Sequence, residues 1–230
     1  MDAFRHSLQE NIQSMQLKIA ASAASRSIET HPVTLIAVTK TQPASTVRAA
    51  IDCGLRVFGE NYVQEGVDKI IALNEQGAAL VWHMIGPLQS NKTKLVAEHF
   101  DWVHTIDRLK IAQRLSDQRP ADLAPLNVLI QVNTDQEPTK SGVLAHEVGQ
   151  LAAEIASLSR LKLRGLMCIP SANDSTPAFR QLRDLYAALK ISHPSLDTLS
   201  MGMSQDFEMA ISEGATHVRV GSALFGARAP

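Results

Sequence analysis

Apolar positions follow two rhythms along this chain. Phe4, Leu8, Ile12, Met15 and Ile19 fall at helical spacing, opposite a polar face of Gln9, Glu10, Gln13, Gln16 and Lys18. The chain therefore opens with an amphipathic helix within residues 1–30. His31-Pro32 ends this lead-in, because the residue before a proline is pushed out of helical backbone. From there, short runs rich in Val, Ile and Leu alternate with helical patterns. The runs predict strands at 33–39, 56–59, 80–85, 102–104, 126–133, 161–167, 198–201 and 217–220. Helices are predicted at 43–53, 62–73, 92–99, 107–116, from the polar loop 134–142 to about 157, and at 176–191 and 205–212. Pro43 suits a first turn, Gly54 a helix stop, and Asp107 a cap. A brief turn through Phe225-Gly226 closes the pattern.

Alternating strand and helix units imply a parallel sheet. Eight of them predict an α/β fold: a single (β/α)8 TIM-type barrel over residues 1–230, with the N-terminal helix packed on it. An open doubly wound sheet is the alternative. The G-x-G-x-x-G loop of dinucleotide-binding sheets is missing after the first strand, which counts against it.

Composition narrows the partners. Hydrophobic residues make up 45% and aromatics only 4%, so the interior must be built from Val, Ile, Leu and Ala. A net charge of −1 without a dense Lys/Arg cluster argues against a nucleic-acid surface. The two cysteines, Cys53 and Cys168, are far apart and form no C-x-x-C pair, which fits a reducing compartment. No apolar run approaches a membrane span, and the N-terminus lacks a signal core. The expectation is a cytoplasmic protein with no membrane partner.

Candidate chemistry gathers at the carboxyl ends of the predicted strands, where barrels place their sites. Lysine is rarely buried in full, yet Lys40 directly follows the first apolar strand. At the far end of the chain, Gly202-Met203-Ser204 follows strand seven and Gly221-Ser222 follows strand eight. Glycine and serine at the start of a helix can hold a phosphate through N–H and O–H groups. Taken singly, Ser204 is also a good N-cap, Gly221 an ordinary turn, and Lys40 a side chain that snorkels into water. The two loops lie at adjacent strands and favour a phosphate. A partly desolvated mouth would make the Lys40 amine ready to condense with a carbonyl. An amine beside a phosphate cradle suggests an aldehyde that carries a phosphate, pyridoxal 5'-phosphate (PLP). Arg219, between apolar residues of strand eight, needs a partner. That partner is either a PLP ring nitrogen, kept unprotonated and a weak electron sink, or backbone carbonyls or a carboxylate such as Glu60. Asn61 either bonds the ring oxygen or caps a helix.

The segments Ala37-Val38-Thr39-Lys40, Phe58-Gly59-Glu60-Asn61-Tyr62-Val63-Gln64-Glu65, Trp82 to Lys92, Gly165-Leu166-Met167, Ser200 to Asp206 and Val218 to Gly226 resemble the PLP homeostasis proteins. The resemblance covers nearly the whole chain. It implies a barrel like the N-terminal domain of alanine racemase, with PLP as a Schiff base on Lys40. It implies phosphate contacts from Ser204, Gly221 and Ser222, and Arg219 at the ring nitrogen. Two positions depart from the family pattern: Gln205, where an acidic residue is frequent, and Ser222, where threonine is common.

Two activities fit such a site: a carrier that buffers PLP or delivers it transiently to apo-enzymes, and an amino-acid racemase. Racemisation needs acid–base groups on both faces of the substrate Cα. The sequence ends at Pro230, soon after the second phosphate loop, so the β-rich domain of barrel racemases has no place. Of two tyrosines, Tyr186 falls on an outer helix and Tyr62 at the mouth, with Cys168 and His83 as further candidates. The carrier is the favoured reading. The first helix can dock on its own barrel, which points to a monomer. The scattered histidines, including His83, His104 and His217, show no H-E-x-x-H or H-x-H pattern, so no metal site is expected. The loop Glu137-Pro138-Thr139-Lys140-Ser141-Gly142 follows strand five, and Lys140 there is either an exit site for PLP or an exposed loop lysine.

Overall fold

Parallel pairing runs unbroken around the chain in sequence order, and the last strand closes on the first. The computed structural model describes residues 2–26, 32–73, 79–137, 139–171 and 175–226. His31, Pro138 and Pro230 lie outside the described residues. The strands are β1 (Thr34–Val38), β2 (Val57–Glu60), β3 (Val81–Met84), β4 (Trp102–Ile106), β5 (Leu126–Gln131), β6 (Leu161–Met167), β7 (Thr198–Ser200) and β8 (His217–Val220). The helices are α1 (Asp2–Ser25), α2 (Ala44–Asp52), α3 (Val63–Leu73), α4 (Thr93–His99), α5 (Leu109–Gln118), α6 (Val148–Ala156), α7 (Thr176–Ser192), α8 (Phe207–Ser212) and α9 (Ser222–Phe225). A closed barrel leaves no strand edge unpaired, which the open-sheet alternative would have done.

Local chemistry moved several boundaries. β4 runs two residues beyond the predicted 102–104, because the polar His104 and Thr105 are both buried and satisfied inside the fold. Asp107 is not the cap of α5. Its carboxylate bonds Arg108 at 2.7 Å, and Arg108 occupies the cap position. In α1 the predicted stripe is buried at Leu8, Ile12, Met15 and Ile19, but Phe4 stays 44% exposed. The stripe packs on α8 and α9, and Asn11 donates to the Leu224 carbonyl at 2.9 Å, tying the helix to the segment after β8.

Most of the core lies between strands and helices and is aliphatic, as the low aromatic content requires. Inside the barrel the filling is unusually polar. His83 stacks on Trp102 with ring centroids 5.2 Å apart, and Arg164 sits 4.6 Å above the Trp102 ring. Asp197 binds Arg164 through both carboxylate oxygens, at 2.9 and 2.5 Å. No helix among the described residues is long and apolar enough to cross a membrane.

Candidate functional site

The carboxyl ends of β1 and β8 are neighbours, since Ala37 pairs with Val220. Lys40 lies in the turn after β1, half-buried, one residue beyond the Thr39 N–H that still bonds the Gly59 carbonyl at 3.0 Å. A small pocket opens here, lined by Val38, Lys40, Gln42, Gly221, Ser222, Phe225 and Gly226. Three of the six sequence-selected residues, Lys40, Gly221 and Ser222, thus share one wall. A Cβ on Gly221 would meet the Val38 carbonyl at 3.3 Å, so a larger residue would crowd the floor of this pocket.

Ser204 joins from the neighbouring loop, its Oγ 3.4 Å from that of Ser222. It caps nothing: α8 starts three residues later, with Asp206 at the cap position. Asp206 instead shapes the loop, accepting the Met203 N–H at 2.6 Å and the Ser175 hydroxyl at 2.7 Å. Gly202 turns the chain with φ +90°, a conformation that disfavours any side chain.

Arg219 is buried, 4% exposed, and donates to Ser200 Oγ at 2.7 Å and to the Cys168 carbonyl at 2.8 Å. Glu60 is not its partner. Among the described residues no carboxylate pairs with Arg219, and its remaining N–H groups have no acceptor. A buried guanidinium with spare donors fits a ligand acceptor at the mouth. Asn61 Oδ1 is also buried without a partner, so this side chain caps no helix. Its backbone is pressed by Gly86, where a Cβ would lie 2.2 Å from the Asn61 carbonyl oxygen. Asn61 lines a second, larger hollow with Thr105, Gln131, Lys140, Ser141 and Ile169. The orphaned Asn61 oxygen, the spare Arg219 donors and the Lys40–Ser222 pocket together fit a phosphorylated aldehyde with a ring acceptor.

Behind Lys40 lies a network that the sequence reading passed over. Glu60 is fully buried and accepts from Thr39 Oγ1 at 2.5 Å and Lys69 Nζ at 2.8 Å. Lys69 also reaches the Thr39 carbonyl at 2.5 Å and Glu65 Oε1 at 2.6 Å, and Glu65 accepts the Thr41 N–H at 2.5 Å. Both residues flanking Lys40 are therefore held by one ion-pair cluster. Burial pushes the Glu60 carboxyl up, against the bonds from Lys69 and Thr39 that pull it down. The only sequence signal for this cluster was the i, i+4 spacing of Glu65 and Lys69.

The histidines predicted as scattered do converge. His83, His104 and His217 have ring centroids 5.0 to 6.3 Å apart. His83 is a hydrogen-bonded core residue, with Nδ1 2.8 Å from His104 Nε2. Among the described residues, no three His, Cys, Asp or Glu side chains are grouped to hold a metal ion. Lys140 is ion-paired with Asp135 and bonds Ser171 Oγ at 2.6 Å, with Glu137 3.7 Å away.

The family described as "Alanine racemase, N-terminal domain" matches residues 6–229. The pyridoxal phosphate homeostasis protein of Escherichia coli strain K12 is 55% identical over 223 residues, covering 95% of each chain. That of Haemophilus influenzae is 50% identical over 227 residues, covering 96% of each. The chain belongs to the pyridoxal phosphate homeostasis protein family. A structure of a family-like protein, PipY of Synechococcus elongatus solved with PLP bound, matches with a TM-score of 0.82 at 35% identity, over 95% of this chain and all of that one. Alanine racemase of Corynebacterium glutamicum shares the barrel, with a TM-score of 0.71 at 16% identity over 62% of its length. That likeness is one of fold alone.

Proposed function

We propose that this protein binds PLP as a Schiff base on Lys40 and buffers it or delivers it to apo-enzymes. In this reading it acts as a monomeric, single-domain carrier in the cytoplasm rather than as a catalyst. The observation that carries the reading is the meeting of Lys40 with Gly221 and Ser222 around one pocket. Bound PLP would supply an aldehyde that condenses with an amine, losing water. The Lys40 amine would take that role. The N–H and O–H groups of Gly221, Ser222 and Ser204 would hold the phosphate. Asn61 would bond the ring oxygen, and Arg219, which can only donate, would face the ring nitrogen and keep it unprotonated.

A racemase is the second reading, and the candidates for its second acid–base group argue against it. Cys168 is fully buried, and burial pushes its thiol up to about 12. His83 is 1% exposed and bonded to His104 inside the barrel. Tyr62 stands 58% exposed to water at the mouth. An open mouth suits release of the cofactor more than protection of a carbanion.

Borohydride reduction of the PLP-loaded protein, followed by peptide mapping, should place a pyridoxyl group on Lys40. An adduct confined to other lysines, or no visible absorbance band after incubation with PLP, would defeat the proposal. A racemisation assay on the loaded protein then separates carrier from catalyst. Lys140 is engaged by Asp135 and Ser171, which favours a loop-tying role over an exit site. The Lys140→Ala variant is expected to hand PLP to an apo-enzyme at the wild-type rate; slower transfer would instead support an exit site there.

A further inference from the structure

A continuous hydrogen-bonded chain runs through the barrel interior and ends at Arg219. Its links are His83 Nδ1 to His104 Nε2 at 2.8 Å, His104 Nδ1 to Ser200 Oγ at 2.9 Å, and Arg219 Nη1 to Ser200 Oγ at 2.7 Å. Ser200 and His104 are fully buried, away from bulk solvent. The proposed function uses neither residue. We propose that Ser200 and His104 are positioning residues, which fix the Arg219 guanidinium in the orientation that meets the cofactor ring. This rests on the PLP-binding reading above.

The proton directions follow from Arg219. Guanidinium only donates, so Ser200 Oγ accepts from Nη1. The hydroxyl proton of Ser200 then has one partner among the described residues, His104 Nδ1. An arrangement in which His104 Nδ1 donated would leave that buried proton unbonded, which native interiors avoid. His104 therefore accepts at Nδ1, carries its proton on Nε2 and donates to His83 Nδ1. His83 in turn is protonated on Nε2.

Both rings must be neutral for this order to hold. Burial, with the neighbouring histidines and Arg219 adding to it, keeps His104 well below the usual histidine range, and burial and His217 do the same for His83. The other charged or titratable groups near the chain are Cys168 and Asp206 beside Arg219, and Arg164 and Asp197 beside His217. None of these carboxylates bonds Arg219. Ser200 and the Cys168 carbonyl are thus the two anchors that set the guanidinium plane. Without Ser200, one anchor remains and the fork can turn about it.

The test needs no catalytic activity. In the PLP-free protein labelled with 15N-histidine, NMR should find His83 and His104 neutral and protonated on Nε2. Ser200→Ala should disturb the His104 tautomer, weaken PLP binding roughly 10-fold and displace the absorbance band of the bound cofactor. Ser200→Thr, which keeps the hydroxyl, should restore both band and affinity. A His104 protonated on Nδ1 in the wild type overturns the proposal. So does a folded Ser200→Ala protein with wild-type affinity and band, and that result leaves PLP binding untouched. A wild-type protein that takes up no PLP overturns the functional reading itself, and this role with it.

Discussion

Replacing Lys69 with methionine lowers the stability of the fold by about 3–5 kcal/mol, the usual cost of stripping one partner from a buried ion pair. Methionine fills much of the lysine stem's space, so the loss is one of charge more than of packing. Lys69 is 5% exposed, and its ammonium holds Glu60, Glu65 and the Thr39 carbonyl together. Without it, Glu60 becomes an unpaired buried acid. The variant also loosens the Lys40 turn. Thr41 has φ 64°, a left-handed conformation costly for a β-branched residue, and Glu65 stabilises it by accepting its N–H. The deficit depends on pH with a definite sign. Burial raises the Glu60 carboxyl above the ordinary value of 4.5, and loss of Lys69 raises it further. A carboxyl with a raised folded-state pKa binds more protons folded than unfolded. Its stability contribution is therefore lost as pH rises from 4.5 through the folded value. Urea denaturation of variant and wild type should show a larger gap at pH 8 than at pH 5.5. Equal midpoints at pH 8 would refute the clamp.

Acidification from pH 7.5 to pH 5 destabilises the wild type, with His217 contributing about 2 kcal/mol, at roughly 1.4 kcal/mol per pH unit below the unfolded value, and His83 and His104 acting in the same direction. His217 is lowered from 6.5 to about 4, first by burial and then by Arg164. His83 is lowered well below 6.5 by burial and then by His217, and His104 by burial and then by His83, His217 and Arg219. Between the folded and unfolded values the unfolded chain binds more protons, so stability rises with pH there and is lost as pH falls through 6.5. Glu60 and Asp101, both raised by burial, pull the other way and blunt the effect. The check is the urea midpoint across this range, with His217→Asn as a control whose slope should be shallower. A midpoint flat from pH 7.5 to pH 5 would show that the histidines do not titrate as buried neutral groups.

Several features were legible because they are local. Each strand is an apolar run with its own boundaries, and each helix carries its stripe, so eight βα units could be counted without knowing any contact. The loops Gly202-Met203-Ser204 and Gly221-Ser222 were legible for the same reason: glycine and serine after a strand have few uses. What failed was tied to competition for partners. Asp107 reads as a cap, but Arg108 takes its carboxylate. Ser204 reads as a cap, but Asp206, two residues further on, holds that position. Phe4 follows the helical period, yet at the helix start it lies beyond the surface that covers Leu8.

The sequence by itself determined the number and order of the βα units, the aliphatic character of the core, and the presence of an amine and two Gly/Ser loops at strand ends. These follow from periodicity and side-chain chemistry over a few residues. Only the tertiary structure decided which side chains meet. Closing β8 on β1 brings Lys40 to Gly221 and Ser222 across nearly the whole chain. The same closure puts Ser200 between His104 and Arg219, and threads Lys69 under the residues beside Lys40. Hydrogen bonds and ion pairs depend on distances of about 3 Å. Over tens of residues, such distances are set by barrel register and packing, which no local pattern encodes.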